Sequence, residues 1–204
     1  MAGLALIDYG AGNLHSVHNA LKAAGADDVV VTADPETVVR ADRIVLPGVG
    51  AFAHCMEALS AIDGMVAAME QRVRTQGAPF LGICVGMQLL ADAGVEHGTT
   101  QGLGWIPGTV RAIVPAAELK IPHMGWNDVV PVANAPLIEH GEAYFLHGYH
   151  FDAANTDDIL ATTDHGGPLV AAVGRDNIIG VQFHPEKSQA YGINFLKRFL
   201  EWAP

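Results

Sequence analysis

Three short stretches carry side chains that could do covalent chemistry. In "PFLGICVGMQLL" (79 to 90), Cys84 sits in the frame Gly82-Ile83-Cys84-Val85-Gly86, the spacing of a sharp strand-to-helix turn that exposes a nucleophile. Such a turn strains the reactive residue and sets it at the carboxyl edge of a sheet, where open α/β folds bind ligands. A helix beginning at Val85 would aim free N–H groups at the sulfur and favour the thiolate. Taken alone, a cysteine after an apolar strand also fits a small buried side chain.

The second stretch, "IIGVQFHPEKSQ" (178 to 189), ends a strand at Ile178 to Phe183 in His184-Pro185-Glu186. A thiolate nucleophile needs an imidazole to move its proton, and the imidazole needs a carboxylate to fix its tautomer. Two residues apart in extended chain, His184 and Glu186 project to the same side, and Pro185 stiffens the segment. The third stretch, "LPGVGAF" (46 to 52), ends a strand in a glycine-flanked loop. Backbone N–H groups of Val49, Gly50 and Val85 are the candidate donors to a developing oxyanion. Read singly, the second stretch is also a strand-terminal histidine beside a solvated glutamate, and the third a plain βα turn.

These groups must be held by an α/β scaffold. Short β-branched runs at 4 to 7, 28 to 32, 43 to 47 and 79 to 83 alternate with helical patterns, the layout of a parallel sheet covered on both faces. "NLHSVHNALKAAG" places Leu14, Val17, Leu21 and Ala24 on one face, with Asn13 as N-cap and Gly25 as stop. Residues 51 to 75 are helical twice over, broken near Asp63 and Gly64. From 102 to 181 the texture changes to strands and turns, punctuated by Pro107, Pro115, Pro122, Pro131, Pro136 and Pro168. These strands extend the sheet and add an antiparallel layer. The chain closes on a helix whose Tyr191, Phe195 and Phe199 pack on the sheet.

With 204 residues, half of them apolar, a single core and one domain over 1 to 204 are expected. A formal charge of -11 repels phosphate backbones and anionic lipid, which argues against nucleic acid or a membrane surface as partner. "MAGLALIDYG" reads as a first strand and not as a signal peptide, and no apolar run approaches ~18 residues. Cys55 and Cys84 are expected as free thiols of a cytoplasmic protein, Cys55 in the core. "YGAGNL" has His15 where a dinucleotide fingerprint needs its third glycine, so no cofactor is expected there. Ten histidines invite a metal, yet no ligand cluster joins His15 with His18, and His147 and His150 would face opposite sides of one strand, so none is assigned.

Together, the three stretches resemble the class I glutamine amidotransferases, the Cys-His-Glu family, over nearly the whole chain. Within it the closer likeness is to the glutaminase subunits of imidazole glycerol phosphate synthases, carried by "DYGAGNLHSV" (8 to 17), "LPGVGAFAHCM" (46 to 56), "KIPHMGWN" (120 to 127), "YFLHGYH" (144 to 150) and "GVQFHPEKSQ" (180 to 189). The resemblance implies a flavodoxin-like fold with a mostly parallel central sheet, and a triad of Cys84, His184 and Glu186 that releases ammonia from glutamine. It implies that Gln88, His147, Gly148 and Tyr149 hold the glutamine, and that no cofactor is needed. It further implies a (β/α)8-barrel cyclase as heterodimer partner, met by Asn13, Trp126, Tyr144 and Lys187. One departure is Gly148, where the family more often carries a small hydroxyl residue. Two other readings stay open on the residues: the glutaminase of an anthranilate or aminobenzoate synthase, which "PHMGWN" disfavours, and a non-catalytic regulatory subunit, which the complete triad disfavours.

Overall fold

The computed structural model describes residues 3–114, 119–132 and 135–204; Pro115 falls outside them. Thirteen strands lie among the described residues: β1 Leu4–Ile7, β2 Val29–Thr32, β3 Arg43–Gly48, β4 Phe80–Cys84, β5 Ala93–Val95, β6 Thr99–Gln101, β7 Gly108–Ala112, β8 His123–Pro131, β9 Gly141–His147, β10 Tyr149–Ala153, β11 Ile159–Asp164, β12 Pro168–Arg175 and β13 Ile178–Val181. Six α-helices accompany them: α1 Leu14–Ala23, α2 Pro35–Arg40, α3 Phe52–Ala61, α4 Met65–Met69 (continued as a π-helix over Glu70–Thr75), α5 Val85–Gln88 and α6 Gln189–Glu201. A nine-stranded sheet runs β2-β1-β3-β4-β13-β12-β11-β8-β9, and a four-stranded sheet runs β10-β7-β5-β6.

The α/β class expected from the alternating runs is what the chain forms. Strands β1, β4 and β13 are wholly buried and apolar, and β3 is so after Arg43, as a doubly covered parallel sheet requires. All pairings from β2 to β13 are parallel, whereas those from β13 outward to β9 are antiparallel. The antiparallel wing therefore reaches further than a small added layer.

Local expectations hold at the first helix in part. Asn13 occupies the N-cap position of α1, but its side chain makes no capping bond. Gly25 ends the helix at φ +104°, a conformation open to glycine. The break between α3 and α4 falls at Gly64, as expected. The last strand stops at Val181, two residues short of Phe183. The run 144 to 150 is not one strand: β9 ends at His147 and β10 starts at Tyr149 in the other sheet, so His147 and His150 are not two faces of a single strand. Phe195 and Phe199 of α6 are fully buried, and Phe195 meets Phe183 edge to face at 5.6 Å.

Candidate active site

The parallel pairing of β3, β4 and β13 brings the three sequence stretches to one carboxyl edge of the sheet. Gly48 pairs with Cys84, and Val181 pairs with Ile83, which sets the residues after β13 level with the elbow. Cys84 takes φ 55° and ψ -113°, a strained conformation for a non-glycine residue. The flanking glycines explain how it is held. A Cβ on Gly82 would run into the Gly86 main chain, and one on Gly86 into the Leu46 carbonyl. α5, beginning at Val85, is a single turn buried along its whole length. As its first residue, Val85 has no intrahelical use for its N–H.

A cavity of about 330 Å³ opens over the elbow, lined by Cys84, Val85, Val49, Gly50, Gln88 and His184 among others. His184 Nδ1 faces Glu186 Oε1 at 2.9 Å, and both side chains are buried. With Nδ1 so engaged, Nε2 is the nitrogen left for the sulfur. Burial pushes the imidazole down, but the hydrogen bonds and charges of Cys84 and Glu186 overcome it, leaving His184 raised to about 9. This is an imidazole that holds a proton beside a sulfur. Such a pair can attack an electrophilic carbonyl and hand the proton to a leaving amine.

The turn is braced by Ser188, whose hydroxyl donates to the His184 carbonyl at 2.6 Å and accepts from the Tyr144 N–H at 2.9 Å. The His184 N–H in turn donates to the Tyr144 carbonyl. In the loop at 47–52, Tyr9 Oη donates to the Pro47 carbonyl at 2.7 Å, and Cys55 Sγ to the Val49 carbonyl at 3.4 Å. Because the C=O and N–H of a trans peptide point opposite ways, the Gly50 N–H faces away from Cys55. Glu96 accepts from the Phe52 N–H at 2.8 Å and lines the cavity. Cys55 is fully buried, and both cysteines are free.

Gln88 is buried, and its amide nitrogen donates to the Tyr149 carbonyl at 3.2 Å and to Gln182 Oε1 at 2.9 Å. His147, Gly148 and Tyr149 line the cavity as expected, but the His147 ring is committed elsewhere: Nδ1 to the Tyr149 carbonyl at 2.8 Å, Nε2 to His123 Nδ1 at 2.9 Å. Burial, outweighing the Tyr149 contact and aided by neighbouring histidines, pushes it down to about 3. Gly148 needs no side chain to hold its strand end, since its carbonyl accepts from the Ile113 N–H. A Cβ there would meet nothing nearer than Ile121 at 3.7 Å, so a small residue fits.

The remaining sequence candidates gather at the rim. On the outer face of β8–β9, Trp126 lies opposite Tyr144 and Met124 opposite Leu146. Met124 is 64% exposed and Trp126 47%. Lys187 lies over the Tyr144 ring at 5.8 Å and reaches the cavity lining with Leu146. Asn13 precedes α1, and α1 packs against the turn Pro185–Lys187. Glu96, Ser188 and Gln182 were not singled out from sequence. The strand expected to run to Phe183 ends at Val181, so spacing from His184 does not mark Gln182.

The family described as Glutamine amidotransferase class-I matches residues 5–202. Imidazole glycerol phosphate synthase subunit HisH of Zymomonas mobilis is 61% identical over 98% of this chain and 96% of its own. The subunit of the same name from Rhodospirillum rubrum is 54% identical over 98% and 99%. Among solved structures, "Crystal structure of glutamine amidotransferase" aligns with a TM-score of 0.76 at 19% identity, covering 98% of each chain. The "Structure of PurLQS from Thermotoga maritima" aligns at 0.68 and 18% identity, over 97% of this chain and 95% of that one. At those identities the structural likeness speaks for the fold alone.

Proposed function

The chain belongs to the class-I glutamine amidotransferases, and on that premise we propose that Cys84, His184 and Glu186 are its catalytic triad. Its function is that of the glutaminase subunit of imidazole glycerol phosphate synthase, in histidine biosynthesis. The observation that carries the triad is the strained Cys84 at the cavity floor, beside a His184 whose Nδ1 is held by buried Glu186.

The Cys84 thiolate attacks the side-chain amide carbon of glutamine, and the C–N bond breaks as His184 Nε2 delivers its proton to the departing ammonia. Water, deprotonated by His184, then cleaves the thioester to glutamate and restores the thiolate. The N–H groups of Val85 and of Val49 or Gly50 receive the carbonyl oxygen as it gains charge. Glu96 is the carboxylate at the cavity wall suited to the α-ammonium, while Gln88 and the main chain at 147–149 hold the rest of the substrate. The chain acts as one domain and carries this out without a cofactor.

The ammonia passes to a (β/α)8-barrel cyclase seated on the rim. Support comes from the exposed apolar pairs Trp126–Tyr144 and Met124–Leu146, and from Leu146 and Lys187 lining the cavity mouth at the same face. No helix of the described residues is long and apolar enough to cross a membrane, and we place the protein in the cytoplasm. The test is glutamine hydrolysis by the isolated chain, then with the cyclase and its nucleotide ligand. A large stimulation is expected; equal rates would remove the partner from the reading.

A further inference from the structure

Gln182 is fully buried, yet it is a polar side chain in a strand end that otherwise needs none. Its main chain is anchored by a 2.8 Å bond from its N–H to the Ala171 carbonyl, so its side chain is presented from a fixed point of the sheet. The register of β13 on β4 places that point level with Cys84.

The direction of its amide follows from an acceptor that cannot be reversed. The Tyr149 carbonyl only accepts, so the amide group of Gln88 that faces it at 3.2 Å is the nitrogen. The same nitrogen lies 2.9 Å from Gln182, which makes the Gln182 atom there the oxygen. Gln182 Nε2 is therefore turned to the other side, where it meets Cys84 Sγ at 3.7 Å. Turning the Gln88 amide over would set its oxygen against the Tyr149 and Gln182 oxygens, and turning the Gln182 amide over would set one NH2 group against the other.

We propose that Gln182 is a further catalytic residue: its side-chain N–H donates to the Cys84 sulfur and stabilises the thiolate, while its oxygen fixes the amide of Gln88 beneath the substrate. A donor aimed at an anion is stronger than one between neutral groups, and it is in place before substrate arrives. The inference rests on the reading of Cys84 as the nucleophile.

The test is alkylation by iodoacetamide, an uncharged probe, of the full chain at one near-neutral pH, followed at Cys84 by peptide mass spectrometry. Gln182→Met keeps the side-chain length without a donor, and Gln182→Glu keeps the shape but turns an anionic oxygen toward the sulfur. We expect Cys84 to react about tenfold more slowly in Gln182→Met, and more slowly still in Gln182→Glu. Protection of the buried Cys55 in the same digest reports that the variant is folded. Wild-type reactivity at Cys84 with Cys55 protected, or an inverted order of the two variants, overturns the proposal. So does loss of Cys55 protection in both, which would make the amide a requirement of folding. Failure of the underlying reading looks different: wild-type Cys84 would react no faster than Cys55, and Cys84→Ala would still hydrolyse glutamine.

Discussion

Two buried imidazole settings lie within one cavity wall, and they titrate in opposite directions. His184, His123 and His147 are each no more than 6% exposed, and burial alone disfavours the charged ring in all three. In His123, burial and then the facing His165 push the ring down to about 4, and His147 falls to about 3. His184 instead rises to about 9, because its neighbours are the Glu186 carboxylate and the Cys84 sulfur. The neighbours of His147 are a backbone carbonyl and another neutral ring. Partner type, and not depth, decides whether a histidine of this protein carries a proton or serves as a neutral bracket.

The largest effect expected is on the charged side of that comparison. His184→Ala and Cys84→Ala should each lower glutamine turnover by about 10³-fold or more, measured as glutamate release. The cyclase partner should still use free ammonia at alkaline pH, since only the ammonia source is lost. If both activities vanished together, the division of labour between the subunits would be wrong. Glu186→Gln removes the charge but keeps the shape, and should cost less, on the order of 10- to 100-fold. Its pH–rate profile should shift to lower pH, because His184 would lose a partner that raises it. A loss in Glu186→Gln equal to that of His184→Ala would mean that Glu186 does more than orient and charge the ring.

The neutral side predicts a different readout. His123→Phe keeps the stacking on Phe145, 4.8 Å away, but leaves His147 Nε2 without its donor. It should lower stability by about 1–3 kcal/mol in denaturant titration. Its effect on glutamine turnover should be smaller than that of Glu186→Gln. A catalytic defect as large as that of Glu186→Gln would put the pair into the proton path and break the comparison.

What was legible in the sequence follows the range of the interactions. The cysteine elbow and His184-Pro185-Glu186 are short-range motifs: the elbow forms the expected turn, whereas His184 and Glu186 meet at 2.9 Å across a tight turn at Pro185–Lys187 and not along an extended chain. The buried strands of the parallel half were legible because each is a continuous apolar run. Gln182 and Ser188 act through partners that are remote in the chain, Gln182 on Cys84 and Ser188 on Tyr144. No local pattern records such pairings. The His123–His147 bond depends on the register of β8 against β9, which pairs those two residues. The break at Gly148 was missed because "YFLHGYH" alternates well enough to pass for one strand, although its two halves join different sheets.

The smallest effect, per pH unit, is on stability, and it tests both settings in one experiment. Unfolded, each of the three rings titrates near 6.5. As pH falls below about 6.5, the unfolded chain takes up protons at His123 and His147 that the folded chain refuses, so stability must fall toward about pH 4. His150, also depressed chiefly by burial, adds to that acid limb. Between about 6.5 and 9 the sign reverses, because the folded chain keeps on His184 a proton that the unfolded chain has lost, so stability falls as pH rises. Each ring contributes at most about 1.4 kcal/mol per pH unit. Denaturant unfolding across this range should therefore show a maximum near neutrality. Glu186→Gln should flatten the alkaline limb and leave the acid limb, whereas His123→Phe should make the acid limb shallower and leave the alkaline one. If either variant altered both limbs alike, the two histidine settings would be one coupled system, and partner type would no longer account for their opposite behaviour.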